Sequence, residues 1–197
     1  KESPSFFSEI ISWSYIPEPK SPEEEIRDLN PEFVQNRAKT AHELLESWVN
    51  VPGTNSDGFI DLEKLKLWFK ESIEECTKRD RKSKGYYEIG KLFGKSREVQ
   101  INWPAPEICE LIEEIDHKEL NEGFIIGTIN GSRVRAAIRP DNGGNPDRAR
   151  SNKYSALSEE LSFQYPKVAR LLEEVSKSYE NWADYMDKDK RQRDLDY

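Results

Sequence analysis

Apolar residues recur every three to four positions along most of the chain, the spacing that gathers them on one face of an α-helix. Phe6, Phe7, Ile10, Ile11 and Tyr15 open the pattern and predict a short first helix ending at Pro17-Glu18-Pro19. Ser21-Pro22-Glu23-Glu24 then reads as a capping box with proline at the first helical position. Asn30-Pro31 repeats the device. After it Phe33, Val34, Ala38, Ala41, Leu44, Leu45, Trp48 and Val49 predict a buried helix face, closed by Pro52-Gly53. Leu62, Leu65, Trp68, Phe69, Ile73 and Cys76 form the stripe of the next helix, with Asp61 as its N-cap. Tyr86, Tyr87, Ile89, Leu92 and Phe93 predict a short helix, and Trp103-Pro104 opens one that turns Ile108, Leu111, Ile112 and Ile115 inward. Residues 118–130 are apolar enough for a buried helix. Gly123 and Gly127 weaken it by propensity but, four apart, let another helix come close. In the last helix Val168, Leu172, Val175, Tyr179, Trp182 and Met186 alternate spacings of four and three. So short a seam suits packing on a sibling helix better than a long coiled coil.

These elements predict an all-α fold, an irregular bundle of about seven to eight helices. A short hairpin near 124–138, turning at Asn130-Gly131, is the alternative to a helix there. No fixed period repeats, so a regular solenoid is not supported. The expected organisation is an N-terminal helix over 1–17, an acidic connector over 18–30, a helical domain over 31–190 and a charged tail over 191–197.

Composition adjusts this picture. Only 35% of the 197 residues are apolar and another 35% are charged, but 5 Trp, 8 Phe and 8 Tyr supply the area a core needs. No apolar run approaches the ~18 residues of a membrane span, and no signal peptide is visible. Cys76 and Cys109 build neither a disulfide framework nor a CxxC metal knuckle. A cytoplasmic chain without cofactor or metal is expected. The start at Lys1 and the single methionine, Met186, are expected of a fragment or a processed chain.

Candidate chemistry is sparse. Asn55-Ser56-Asp57-Gly58 imitates a calcium loop, but with Gly58 at position 6 the loop has Gly53 at position 1 and Lys64 at position 12. A cation in place of the bidentate glutamate excludes calcium and leaves a turn closed by Gly58. The stretch 131–153 is the most informative. Arg133, Arg135, Arg139, Arg148, Arg150 and Lys153 face only Asp141 and Asp147, and they flank the glycine loop Asn142-Gly143-Gly144-Asn145 before a helix N-terminus. Arginine forks beside backbone N–H groups suit phosphate or carboxylate. The plainer expectation is pairing with acids of 98–122, where eight acids stand against one base. With a net charge of −8 and a pI near 5.1, the chain lacks the basic balance of a nucleic-acid groove. The stretch 78–97, with eight bases against two acids, reads as a solvated helix terminus. His42 and His117 fall on predicted helices among carboxylates and read as packing residues or helix-terminal hydrogen-bonding groups, and no nucleophile elbow, P-loop or HExxH occurs.

In order, Phe6-Phe7, Trp48, Pro52-Gly53, Asp57-Gly58-Phe59-Ile60-Asp61, Trp68, Ile89-Gly90, Trp103-Pro104, Leu111-Ile112-Glu113, Gly123 with Gly127 and Asn130, and Gly143-Gly144 with Arg148 and Tyr154 form a series of landmarks. The series resembles the C-terminal helical region of large, mostly uncharacterised bacterial and archaeal multidomain proteins, over most of the chain. The resemblance implies a helical module of a larger protein, in some cases one serving anti-phage defence, and implies no catalytic residue. Ser132-Arg133-Val134-Arg135 and Arg139-Pro140-Asp141 depart from the glycine-punctuated arginine stretch expected there. The function expected is therefore non-catalytic, with interdomain or protein–protein contacts through Arg133, Arg135, Arg139, Arg148 and Arg150. Nucleic-acid or phosphate binding through 131–153 is the alternative.

Overall fold

Proline at the first or second helical position starts five of the helices; Asn30-Pro31 does so as expected, while the helix expected to open at Trp103-Pro104 starts at Pro106. The computed structural model describes residues 3–18, 30–96, 102–133 and 143–195; residues 132–133 and 193–195 are described by backbone alone. The described residues form eight α-helices and no sheet: α1 (Pro4–Ser14), α2 (Pro31–Glu46), α3 (Leu62–Lys78), α4 (Lys82–Lys95), α5 (Pro106–Ile115), α6 (Lys118–Arg133), α7 (Asn145–Leu161) and α8 (Pro166–Leu195). The all-α expectation holds. The hairpin does not: the chain stays helical from Lys118 through Arg133, and residues 134–138 lie outside the described residues. The capping box at 21–24 lies outside them too. Helix α8 continues to Leu195, into the stretch read as a charged tail.

Two aromatic clusters organise the core. Phe7 of α1 packs edge-on against Trp48 and against Trp68 of α3, at 5.8 and 5.3 Å between ring centroids. Trp103 stacks on Phe124 of α6 at 5.7 Å and meets Tyr154 of α7 edge-on, and Tyr154 stacks in turn on Tyr179 of α8. The indole Nε1 of Trp103 donates to the Phe93 carbonyl near the end of α4 at 3.1 Å, satisfying a group the helix leaves unpaired. Helix α4 lies between the clusters and meets α6 backbone to backbone. A Cβ added at Gly90 would stand 2.1 Å from the Leu120 carbonyl oxygen, and one at Gly94 2.4 Å from that of Phe124. From the other side, Cβ atoms at Gly123 and Gly127 would stand 2.0 and 2.2 Å from the carbonyls of Tyr87 and Lys91. The close approach expected from Gly123 and Gly127 is thus met by a matching glycine pair on α4.

Helix α2 departs from its predicted face. Ala41, Leu45 and Trp48 are buried, but Phe33 is 54% exposed. Helix α1, only 11 residues long, reaches along α2 as far as Arg37, whose guanidinium lies 4.1 Å over the Trp13 ring. The first turn of α2 runs past that contact.

Candidate functional site

Helix α7 starts after a glycine turn, with Gly143 at φ +54°. It packs antiparallel on α8, with Ser158 donating to the Ala169 carbonyl at 2.8 Å and the Ser151 and Ser176 hydroxyls 3.0 Å apart. That register lays residues 144–148 beside 180–187. A Cβ at Gly144 would stand 2.2 Å from the Ala183 carbonyl oxygen, so glycine is what lets the two helices close here. The anion predicted for this helix N-terminus is present, and it belongs to the chain itself. The Gly144 amide donates to Asp187 Oδ1 at 2.7 Å. Arg148 reaches Asp187 at 2.5 Å, Asp184 at 2.8 Å and Glu180 at 3.3 Å, three acids on one face of α8. The Gly144 amide first, and Arg148 second, hold the Asp187 carboxyl below the usual range. The same pairing pushes the Arg148 guanidinium further up.

Arg150 pairs within its own helix with Asp147 at 2.8 Å and sits 5.7 Å over the Tyr179 ring. Internal pairing is therefore found for both described arginines of the candidate set, but the partners come from α7 and α8, not from 98–122. The helical hairpin, which brings sequence-distant acids alongside, is the reason. Arg133 ends α6 by its backbone; its side chain, and all of Arg135 and Arg139, lie outside the described residues.

A second charged centre carried no sequence signal as a site. Glu88, Lys91 and Lys95 on α4 are 3%, 5% and 5% exposed. Lys91 Nζ donates to Glu46 of α2 at 2.6 Å and to Glu88 at 3.0 Å, and the Tyr15 hydroxyl donates to Glu88 at 2.5 Å. Lys95 Nζ donates to the Leu45 carbonyl at 2.6 Å, serving the C-terminal end of α2. Burial by itself lowers Lys91, but the Glu88 and Glu46 carboxylates outweigh it and hold the ammonium above its ordinary value. For Lys95 burial wins and the shift is downward. Burial raises Glu46, yet its bond to Lys91 and the charge of Lys95 bring it below the usual range. Burial, with Glu88 behind it, raises the Tyr15 phenol. Two acids and two ammonium groups balance, so this is a charge-balanced clamp, buried on α4 and half-buried at Glu46. Arg79 and Arg81 extend it: Arg79 Nε donates to Ser8 at 3.1 Å and Arg81 Nε to the Tyr15 carbonyl at 2.8 Å. The stretch read as a solvated helix terminus thus pins α1 and α2 in place.

The remaining candidates are structural in their surroundings. His117 precedes α6 rather than lying on a helix, stacks on Tyr86 at 3.6 Å between centroids, and sets Nδ1 3.0 Å from Glu119. His42 is exposed on α2. Cys76 and Cys109 are buried and unpaired, and burial pushes each thiol up to about 12. The Asn55 side chain accepts the Asp57 and Phe59 amides and closes the turn, while Asp61 caps α3 through the Lys64 amide. Among the described residues no group of three or more His, Cys, Asp and Glu could hold a metal ion, and no helix is long and apolar enough to cross a membrane. An open cleft of about 350 Å³ lies between the α5–α6 turn and α8, over Ile125 and Leu171. Comparison with protein-family models, with curated proteins and with solved structures gave no match to this chain.

Proposed function

We propose that the chain is a non-catalytic helical module of a larger cytoplasmic protein, mediating interdomain or protein–protein contacts. The observation that supports this reading most is the occupied helix N-terminus at α7. Its strongest anion-binding geometry is filled by Asp187, and Arg148 is shared among three carboxylates. Groups held this way position helices instead of activating a substrate. Both thiols are buried far from the pKa range in which a nucleophilic thiolate forms, and two unpaired buried cysteines fit a reducing compartment. Charge is segregated along the chain, acidic over 98–122 and basic over 131–153, which favours oriented docking and fast encounter. The resemblance to C-terminal regions of multidomain proteins points the same way. Internal pairing of Arg148 and Arg150 leaves Arg133, Arg135 and Arg139 as the candidates for partner contact, and weighs against phosphate or nucleic-acid binding by all five.

The test is charge reversal at Arg133, Arg135 and Arg139 together. Calorimetric titration against the remaining domains of the longer protein is expected to show affinity reduced about tenfold or more, with the melting temperature unchanged. A folded variant that binds as tightly as the original overturns the reading.

A further inference from the structure

Charged groups around the α6–α8 cleft are mostly matched. Asp116 pairs with Lys167 at 3.2 Å, Glu122 with Lys118 at 3.7 Å and Lys177 with Glu173 at 2.7 Å. Two rim residues are not. Arg170 and Glu174 lie four apart on α8, both exposed, and neither forms an ion pair among the described residues. Arg170 acts on Asp116 only through its field. A base placed four residues before an acid is the weaker order for a helical pair, which leaves both groups available to a third party.

We propose that this cleft binds a small zwitterion with an apolar body, an apolar α-amino acid such as leucine. The Arg170 fork receives the carboxylate and Glu174 the ammonium group. The side chain lies on Ile125 and Leu171, which line the cleft from α6 and α8. A volume of about 350 Å³ accommodates an amino acid and little beyond a dipeptide. Both ligand charges are required. An anion alone leaves Glu174 without a partner and is repelled by it, and a cation alone does the same at Arg170. Because the cleft is open to solvent, the dissociation constant is on the order of millimolar. This site is separate from the arginines of 131–153, so it stands or falls independently of the proposed contacts.

Amide chemical shifts of the isotopically labelled chain, followed while L-leucine is added to about 50 mM, test it. Saturable shifts confined to the surroundings of Ile125 and Leu171 are expected. R170A and E174Q should each weaken binding about fivefold or more, while K177A leaves it unchanged. Isovalerate, which lacks the ammonium group, and isoamylamine, which lacks the carboxylate, should each bind at least about fivefold more weakly than leucine. Absence of saturable shifts, indifference to both rim substitutions in folded variants, or binding of either isovalerate or isoamylamine as tight as that of leucine overturns the proposal.

Discussion

Asp187 supplies to α7 what a bound anion supplies at other helix N-termini, and Arg148 fixes it there. Its carboxyl titrates below the ordinary value in the folded protein, so its stabilisation is fully present above the unfolded pKa of about 4 and is lost as pH falls through the lowered folded value. D187N is therefore expected to melt a few degrees lower at pH 7. The gap should close as the buffer is taken below pH ~4, and a gap that persists in acid would assign the effect to packing instead. Lys91 presents the opposite situation, a buried charge. K91M leaves Glu88, 3% exposed, with the Tyr15 hydroxyl as its hydrogen-bond donor and no ammonium beside it at 3.0 Å, and urea unfolding should show a loss of about 3–5 kcal/mol. Combining K91M with E88L should recover much of it, because an apolar pair carries no unmatched charge. Neither centre was fully legible in the sequence. The motif at 142–148 announced an anion site, but the identity of the anion depended on a hairpin register 39 residues away. The lysines of α4 read as solvated because charge reveals nothing about the partner a distant helix will bring.

At the scale of elements, α4 and α6 are held by glycine at each point of closest approach. A methyl group at Gly94 or Gly123 meets backbone, which cannot rotate away as a side chain would. G94A and G123A are expected to cost roughly 3 kcal/mol or more in urea unfolding, or to prevent folding. G131A on the same helix is the control. Its added Cβ would lie 3.6 Å from the Lys95 Cα, an ordinary contact, and alanine raises helix propensity, so stability should hold or rise by about 0.5–1 kcal/mol. Equal loss in all three would show that helix propensity, not helix approach, sets the glycine pattern. The sequence showed that Gly123 and Gly127 permit approach. It did not show which helix approaches, since Gly90 and Gly94 sit in a stretch whose basic charge dominated the pattern. Apolar spacing likewise marked Phe33 as core, because periodicity records a face and not how far along that face a neighbour extends.

Across the whole molecule, one continuous core draws buried residues from all eight helices. The Phe7–Trp48–Trp68 cluster and the Trp103–Phe124–Tyr154–Tyr179 cluster join through α4, which carries the glycine contact with α6 on one side and the clamp on α1 and α2 on the other. Unfolding should therefore be a single transition. Tryptophan fluorescence and far-ultraviolet dichroism are expected to give coincident midpoints in urea. Variants keeping only Trp68 or only Trp103 as reporter extend the test, because each indole sits in a different cluster. Y15F supplies the perturbation. It removes one hydrogen bond to Glu88 in the clamp, outside both aromatic clusters, and should lower both reporters' midpoints together, by a stability loss of about 1–2 kcal/mol. A shift seen by Trp68 alone would mean that α1–α3 open separately from the α5–α8 unit, and that the buried clamp on α4 is a boundary between two cooperative units instead of the joint that unites them.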